Sequence, residues 1–173
     1  MNKKIMYIIT ILSTAVLLFL DQIAKYLAVL HLKGQAAIPI IKNVFELQYL
    51  ENQGAAFGIM QGKKTFFVIG TLIFLVIVGI LYHNIPLTKR FTPIRIVAVL
   101  IIAGAIGNMI DRVVHQYVID FFYFKLINFP IFNVADIYVV VACILFILLM
   151  LFYYKEEELG QIFPFMKSKK VEE

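Results

Sequence analysis

The sequence is poor in charge, cysteine and tryptophan. Only 16% of its 173 residues are charged and 62% are hydrophobic, whereas ordinary soluble domains are about 25% charged. This composition excludes an ordinary soluble globular domain and a disordered chain. The single cysteine, Cys143, excludes an internal disulfide, and no Cys or His stands at metal-ligand spacing from it.

Several common functional motifs are also missing. No G-x-x-x-x-G-K-[ST], H-E-x-x-H or G-x-S-x-G pattern occurs, which argues against P-loop nucleotide, zinc-protease and serine-hydrolase sites. The net charge of +5 is a weak sign of nucleic-acid binding. Because the basic residues are scattered at the edges of apolar runs, membrane topology explains them better.

Four long apolar stretches dominate the chain, at about 5–32, 65–82, 94–112 and 136–154. A membrane-crossing helix needs roughly 20 mostly apolar residues. The first stretch is too long for a signal peptide and lacks a cleavage site followed by a polar mature chain, so we expect a retained helix. The sequence therefore predicts an all-α membrane protein with four transmembrane helices, forming one domain over 1–173.

Four spans place both termini on the same side of the membrane. Nine Lys and Arg residues fall on that side and six on the other, so the positive-inside rule predicts cytoplasmic termini. Two loops then face outward, at about 33–64 and 113–135. In the first loop, residues 44–50 alternate between apolar and polar and predict a strand, and residues 52–54 predict a turn. The second loop is aromatic, and we expect it at the headgroup boundary or against a small surface sheet.

The acidic residues divide unevenly between loops and spans. All seven glutamates lie outside the apolar stretches. An ionised carboxylate at the bilayer centre costs at least about 2.5–3.5 kcal/mol, so an acid in such surroundings needs a partner or a function. The four aspartates lie in or beside the most apolar segments: Asp21, Asp111, Asp120 and Asp136.

Two of these aspartates have a cation close by in sequence. Lys25 follows Asp21 by four residues on the same helical face, a spacing that allows an ion pair. Arg112 follows Asp111 directly, and a helix end relaxes the restriction on neighbouring side chains. Arg112 alternatively holds another carboxylate or a backbone carbonyl. For Asp21 and Asp111 we expect structural support of the helices.

Asp120 and Asp136 have no cation within four residues. Two structural roles compete here: a helix N-cap for Asp136 and a turn at the end of the third helix for Asp120. However, the outer loop can bring both carboxylates together, where one pKa rises and the pair titrates as a unit. One carboxylate can then activate a water while the other, protonated, hydrogen-bonds a scissile carbonyl. This is aspartic-protease chemistry, without a metal or a covalent intermediate.

Five motifs resemble those of lipoprotein signal peptidases, the signal peptidase II family. Residues 21–25 resemble the family's D-Q-x-x-K, and residues 52–58 resemble N-x-G-A-A-F-G. Residues 104–112 resemble G-x-x-G-N-x-x-D-R, residues 118–121 resemble V-x-D-F, and residues 132–136 resemble F-N-x-A-D. The motifs extend from the first span to the fourth in the family's order, so together they are highly specific.

The resemblance implies an aspartic endopeptidase of the bacterial inner membrane. It implies cleavage of prolipoproteins just before a diacylglyceryl-modified cysteine, four transmembrane helices with a small outer β-cradle, and inhibition by globomycin. Prolipoproteins and membrane lipids are the implied partners, with no cofactor, metal or nucleic acid. Asp120 and Asp136 carry over as the catalytic pair. The residues that line or support the site carry over as Asn52, Gly54, Asn108, Arg112, Asn133, Asp21, Lys25 and Asp111.

Small residues accompany these motifs and suit a cleft that admits a peptide and a lipid chain. In the third helix, plain helix packing explains them equally well. They are Ala55, Ala56, Gly104, Ala105 and Gly107.

Two other functions fit parts of the pattern. A proton-coupled carrier predicts acids near the bilayer midplane, whereas Asp111, Asp120 and Asp136 fall at the outer ends of helices. A non-enzymatic scaffold predicts that Asp120 and Asp136 tolerate asparagine, because capping and turn roles survive that change.

Overall fold

The computed structural model describes residues 2–54 and 64–163. Within these residues, four helices are long and apolar enough to cross a membrane, which confirms the predicted number of spans. A short 3₁₀ turn precedes the third of these helices and a π-helical turn extends the fourth. The helices are α1 (Lys3–Leu32), α2 (Lys64–Asn84), α3 (Thr92–Val114) and α4 (Val134–Leu148).

Local sequence signals set where these helices begin. The Asn2 side chain caps α1 by accepting a hydrogen bond from the Ile5 amide at 2.9 Å. Pro93 lies in the first turn of α3, where its missing N–H costs nothing. Asn133 caps α4. The observed helices differ from the predicted stretches by a few residues at their ends, because caps rather than hydropathy decide where a helix starts.

A three-stranded antiparallel sheet lies at one end of the helices. Its strands are β1 (Ile38–Ile41), β2 (Phe45–Asn52) and β3 (Val118–Tyr123), in the order β1-β2-β3. The strand predicted within residues 44–50 is confirmed as β2. The third strand comes from the aromatic loop, whose Phe122 stacks on Phe45 with ring centroids 6.0 Å apart. The two loops that are predicted to face outward therefore meet in one sheet.

The sheet positions the start of α4. Phe122 and Phe132 form a β-bridge beside the sheet, with reciprocal backbone hydrogen bonds of 2.8 and 3.0 Å. The bridge ties the chain entering α4 to β3. It brings the first turn of α4 next to Asp120, which is buried in β3. A turn role for Asp120 at the end of the third helix is therefore wrong.

The third helix is the centre of the bundle and packs against the other three spans. Close approach of α3 to α4 requires glycine: a Cβ added to Gly104 would lie 2.6 Å from the Ala135 carbonyl oxygen. The helix-packing role of the α3 glycines is thus confirmed.

A short helix that hydropathy did not predict, α5 (Glu156–Ile162), closes the end of the bundle opposite the sheet. Leu159 and Ile162 of α5 pack into the same apolar cluster as Tyr82 and Phe91. The Arg90 Nε lies 2.9 Å from Glu158 and ties α5 to the start of α3. Residues 156–162 therefore fold back on the bundle.

Candidate active site

Asp120 and Asp136 line the same cavity, at the sheet end of the helix bundle. The cavity has a volume of about 520 Å³, and Asn52, Asn108 and Arg112 line it too. Much of the remaining wall is apolar and comes from the chain around Pro130 and from α4. The two aspartates that have no cation nearby in the sequence therefore lie at one site in the structure.

Asp120 is held by amide groups. Its Oδ2 accepts a hydrogen bond from Asn52 Nδ2 at 2.8 Å, and its Oδ1 accepts one from Asn133 Nδ2 at 2.7 Å. The residue is only 1% exposed. Burial, and next the negative charge of Asp136, raise the pKa of Asp120 to about 7 although both amides oppose the shift. At neutral pH this carboxyl is therefore poised between its two protonation states.

Asp136 is held by the start of its own helix. Its Oδ2 accepts a hydrogen bond from the backbone N–H of Asn133 at 3.1 Å. In return, Asn133 Oδ1 accepts one from the backbone N–H of Asp136 at 3.1 Å. This reciprocal pair is a capping box. The prediction of Asp136 as the N-cap is therefore wrong, because Asn133 occupies that position. The other oxygen, Oδ1, accepts from Asn108 Nδ2 at 2.8 Å.

Two asparagines connect the aspartates. Asn133 Nδ2 donates both to Asp120 and to the Asn108 side-chain carbonyl, the latter at 3.1 Å. Asn108 then donates its own amide to Asp136. Both carboxylates are thus set in orientation by one continuous network of amide hydrogen bonds.

The other two aspartates gather around a buried ammonium. Lys25 Nζ lies 2.9 Å from Asp21 and 2.9 Å from Asp111, and it donates to Asn108 Oδ1 at 3.0 Å. The predicted pairing of Asp21 with Lys25 is confirmed. Asp111 pairs with Lys25 and not with Arg112, since neighbours on a helix point about 100° apart and Asp111 faces α1.

Gln22 is a partly buried contributor that sequence reasoning missed. Its Nε2 lies 3.1 Å from Asp21 Oδ2 and 3.1 Å from Asp111 Oδ1, so it bridges the two acids. Backbone amides complete the cluster: Ala135 donates to Asp21 at 2.9 Å and Ile119 to Asp111 at 3.1 Å. The signal was available, because Gln22 stands beside Asp21 in the first of the five motifs.

Arg112 binds backbone carbonyls, one of the alternatives open for it. Its two terminal nitrogens each lie 3.3 Å from a carbonyl oxygen, one of Asn108 and one of Gly54, and its guanidinium lies 4.8 Å from the Phe67 ring centroid. Gly54 in turn donates its amide to Asn52 Oδ1 at 3.0 Å. That bond confirms the predicted turn at 52–54. It also holds the Asn52 oxygen toward Gly54, so that the Asn52 nitrogen faces Asp120.

Not every small residue of the motifs can be placed. Ala55 and Ala56 lie outside the described residues. Gly107 packs where α3 meets Asp21, and a Cβ there would lie 2.6 Å from the Asp21 carboxylate. Among the residues that the structure describes, no three His, Cys, Asp or Glu side chains come together to hold a metal ion.

The arrangement defines a class of protein. Four membrane-crossing helices hold two carboxylates in one cavity beneath a small sheet, and amides set the orientation of both. Two carboxylates placed together in this way are typical of peptidases of the aspartic type, here in a membrane protein.

The family is shown by comparison with known proteins. A family model described as signal peptidase (SPase) II matches residues 13–152. The chain belongs to the signal peptidase II family and is an aspartic-type endopeptidase of the membrane.

Curated relatives agree with this assignment, and each is named lipoprotein signal peptidase. The protein of Clostridium novyi is 44% identical over 74% of this chain and 87% of its own length. That of Caldanaerobacter subterraneus is 45% identical over 78% and 90%. That of Streptococcus pyogenes is 39% identical over 87% and 95%.

Solved structures show the same fold. Two structures, each described as a bacterial membrane enzyme, are 33% identical to this chain with a TM-score of 0.71. One likeness covers 82% of this chain and 87% of the other, and the second covers 84% and 94%.

Proposed function

We propose that this protein removes signal peptides from prolipoproteins, cutting immediately before the cysteine that carries a diacylglyceryl group. Relatives named lipoprotein signal peptidases support the substrate class. The observation that carries the proposal is the pairing of Asp120 and Asp136 in one cavity with an apolar wall. Val140 of that wall is 55% exposed on the outer face of the bundle, where lipid would lie. A lipidated segment of an apolar signal peptide fits such a cavity from the side.

The chemistry begins with a proton on Asp120 and none on Asp136. Asp136 takes a proton from a water, and the water oxygen bonds to the scissile carbonyl carbon. Asp120 donates its proton to the carbonyl oxygen as negative charge develops there. The raised pKa of Asp120 supports its assignment as the acid.

Collapse of the tetrahedral intermediate completes the reaction. Asp136 returns its proton to the leaving nitrogen as the C–N bond breaks, and Asp120 takes back the hydroxyl proton as the new carboxyl group forms. The products are the signal peptide and a lipidated cysteine with a free amine. Both aspartates regain their starting protonation, so no other proton donor is required.

The remaining site residues hold this pair. Asn52 and Asn133 orient Asp120, and Asn108 orients Asp136. Lys25, with Asp21 and Asp111, fixes the Asn108 carbonyl and thereby directs its amide toward Asp136. Arg112 binds the Gly54 carbonyl and keeps the 52–54 turn beside the cavity.

We propose that the whole chain, 1–173, is one peptidase domain of the bacterial inner membrane. The excess of Lys and Arg on the side of the termini supports cytoplasmic termini and an outward-facing site. Globomycin-type inhibitors are expected to occupy the cavity of the acid pair. The placement of Asp111, Asp120 and Asp136 at the sheet end of the bundle suits this peptidase better than a midplane proton carrier.

The decisive experiment is a cleavage assay in detergent. A prolipoprotein is offered with and without prior diacylglyceryl transfer, and its Cys→Ser form serves as the control that cannot be lipidated. We expect cleavage of the lipidated form only, with the lipidated cysteine as the new N-terminus by mass spectrometry. Equal cleavage of the unmodified precursor would overturn the proposed substrate, and cleavage of neither would overturn the proposed reaction.

A further inference from the structure

A second cavity lies far from the acid pair, at the end of the bundle that α5 closes. It has a volume of about 730 Å³ and lies between α1 and α3. Its rim is open, since Leu12 is 60% exposed and Val16 58% exposed on the outer face of α1. Its floor is buried and includes Met6, Tyr82 and Arg95. This cavity is a groove that opens toward the surrounding lipid.

Arg95 is an unusual residue to find in such a floor. It is only 6% exposed, and its Nε has no hydrogen-bond acceptor. Its Nη2 donates to the carbonyl oxygens of Pro86 at 2.7 Å and Thr88 at 2.9 Å, and its Nη1 donates to the Thr88 carbonyl oxygen at 3.3 Å. Neutral carbonyls satisfy hydrogen-bond donors but do not neutralise a charge.

In the part of the chain that the structure describes, no carboxylate forms an ion pair with this guanidinium. Within residues 2–54 and 64–163, the ion pairs involve Lys25, Lys33, Arg90 and Lys125, and none involves Arg95. Arg95 is also the fourth residue of α3, near the positive end of that helix's dipole. A buried charge without a counterion is costly, so the site favours an incoming anion.

We propose that this groove binds one anionic phospholipid, with its headgroup phosphate at Arg95 and an acyl chain along the groove. Polar side chains collect at the Arg95 end, where Thr10 and Tyr82 share a short hydrogen bond. Away from that end the lining is aliphatic, with Leu17 and Val99 among its members. A free phosphate would leave that apolar length unfilled. A zwitterionic headgroup carries its own cation, which competes with Arg95 for the phosphate.

The site is separate from the peptidase site and does not depend on the proposed function. Arg95 and Asn108 lie on one helix thirteen residues apart, which corresponds to roughly 20 Å along its axis. A change confined to Arg95 is therefore expected to leave the amide network around the acid pair intact.

The test is native mass spectrometry of the full chain, purified in detergent and stripped of lipid. The probes are phosphatidylglycerol, phosphatidylcholine with the same acyl chains, and inorganic phosphate. We expect one tightly held phosphatidylglycerol and much weaker retention of phosphatidylcholine. Equal retention of the two lipids would overturn the proposal, and so would displacement of phosphatidylglycerol by millimolar phosphate alone.

Variants locate the site. Arg95→Gln should weaken phosphatidylglycerol binding by at least about tenfold, the loss expected for one charge-assisted contact. Lys89→Gln is the matched control, because it removes the same charge from an exposed position at the same end of α3. If both changes weaken phosphatidylglycerol binding equally, the lipid is held by nonspecific attraction to surface charge, and the proposal is overturned.

A second variant keeps the test decisive if Arg95→Gln fails to fold. Ser13→Phe places a ring in the groove and leaves the Arg95 contacts to Pro86 and Thr88 untouched. We expect Ser13→Phe to lose the bound phosphatidylglycerol, with Val76→Phe on the exposed face of α2 as the control. Unchanged retention in a folded Ser13→Phe protein would overturn the proposal.

Discussion

The molecule holds two pairs of aspartates in two different ways. Asp21 and Asp111 share the Lys25 ammonium, with each carboxylate 2.9 Å from Nζ. Asp120 and Asp136 receive amide N–H groups instead, from asparagine side chains and one backbone amide. An ammonium supplies a full opposite charge, and amides supply only dipoles. The first pair is therefore suited to fix structure and the second to exchange protons.

Asn108 lies between the two pairs. Its carbonyl accepts from Lys25, and its amide donates to Asp136. The charged cluster thus helps to set the orientation of the amide that holds Asp136, the proposed general base. We therefore expect changes in the second pair to affect cleavage and changes around Lys25 to affect stability.

The largest effect is expected at the second pair. Asp120→Asn or Asp136→Asn should lower cleavage of a lipidated prolipoprotein by at least about 10³-fold, because general acid or base catalysis is removed. Thermal unfolding should change far less than cleavage, since an asparagine keeps one of the two accepting oxygens and only one of the two hydrogen bonds is lost. Glu46→Gln is the control, as it alters a buried acid of β2 that pairs with Lys125 at 3.1 Å. Near-normal cleavage by either aspartate variant would refute the assignment of the pair.

Loss of the ammonium should chiefly affect stability. Lys25→Met leaves two buried carboxylates without a cation and should cost about 3–5 kcal/mol. The reduction in melting temperature in detergent measures this loss. Adding Asp21→Asn to Lys25→Met should recover part of it, because one uncompensated charge is removed. A double variant no more stable than the single one would show that charge is not the cause.

A smaller loss of stability is expected where α3 meets Asp21. Gly107→Ala should cost about 1–3 kcal/mol, as crowding in a packed core does, since its Cβ would lie 2.6 Å from Asp21 Oδ2. Gly70→Ala in α2 is the matched control, with no atom within 4 Å of the added Cβ. Equal melting temperatures for the two variants would contradict the close packing.

The subtlest effect is on pH dependence. With Asp120 as the acid, the cleavage rate should fall as the pH rises through about 7, where that carboxyl loses its proton. Asn52→Ala removes a hydrogen bond that favours the ionised form, so it should move this decline to higher pH. Rates measured from pH 5 to 9 for both proteins test the shift. If the cleavage rate of Asn52→Ala falls at the same pH as that of the unaltered protein, Asn52 does not influence the pKa of the titrating group.

The same pKa shift has a consequence for folding. The native state holds the Asp120 proton more tightly than the unfolded chain, in which the pKa has its ordinary value of 3.8. Between pH 3.8 and about 7 the native state therefore binds more protons, and the contribution of Asp120 to stability falls as the pH rises. Asp120→Asn should remove this contribution to the pH dependence of the melting temperature.

The sequence predicted the spans, the β2 strand and the Asp21–Lys25 pair, because hydropathy and i,i+4 spacing are local signals. The partner of Asp111 was not predictable in this way, since Lys25 lies on another helix. Gln22 was overlooked for the same reason: its bridging role exists only when α1 meets α3. The N-cap of α4 required a choice between Asn133 and Asp136, three residues apart and both good capping residues.

The placement of Asp120 on β3 has a consequence for synthesis of the protein. Strands β2 and β3 belong to loops on either side of two intervening helices, and Asp136 follows only with the last span. A chain still emerging from the ribosome therefore lacks half of its acid pair until the fourth span is made. While the earlier spans are being made, the apolar first helix is therefore not exposed to a complete acid pair of its own chain.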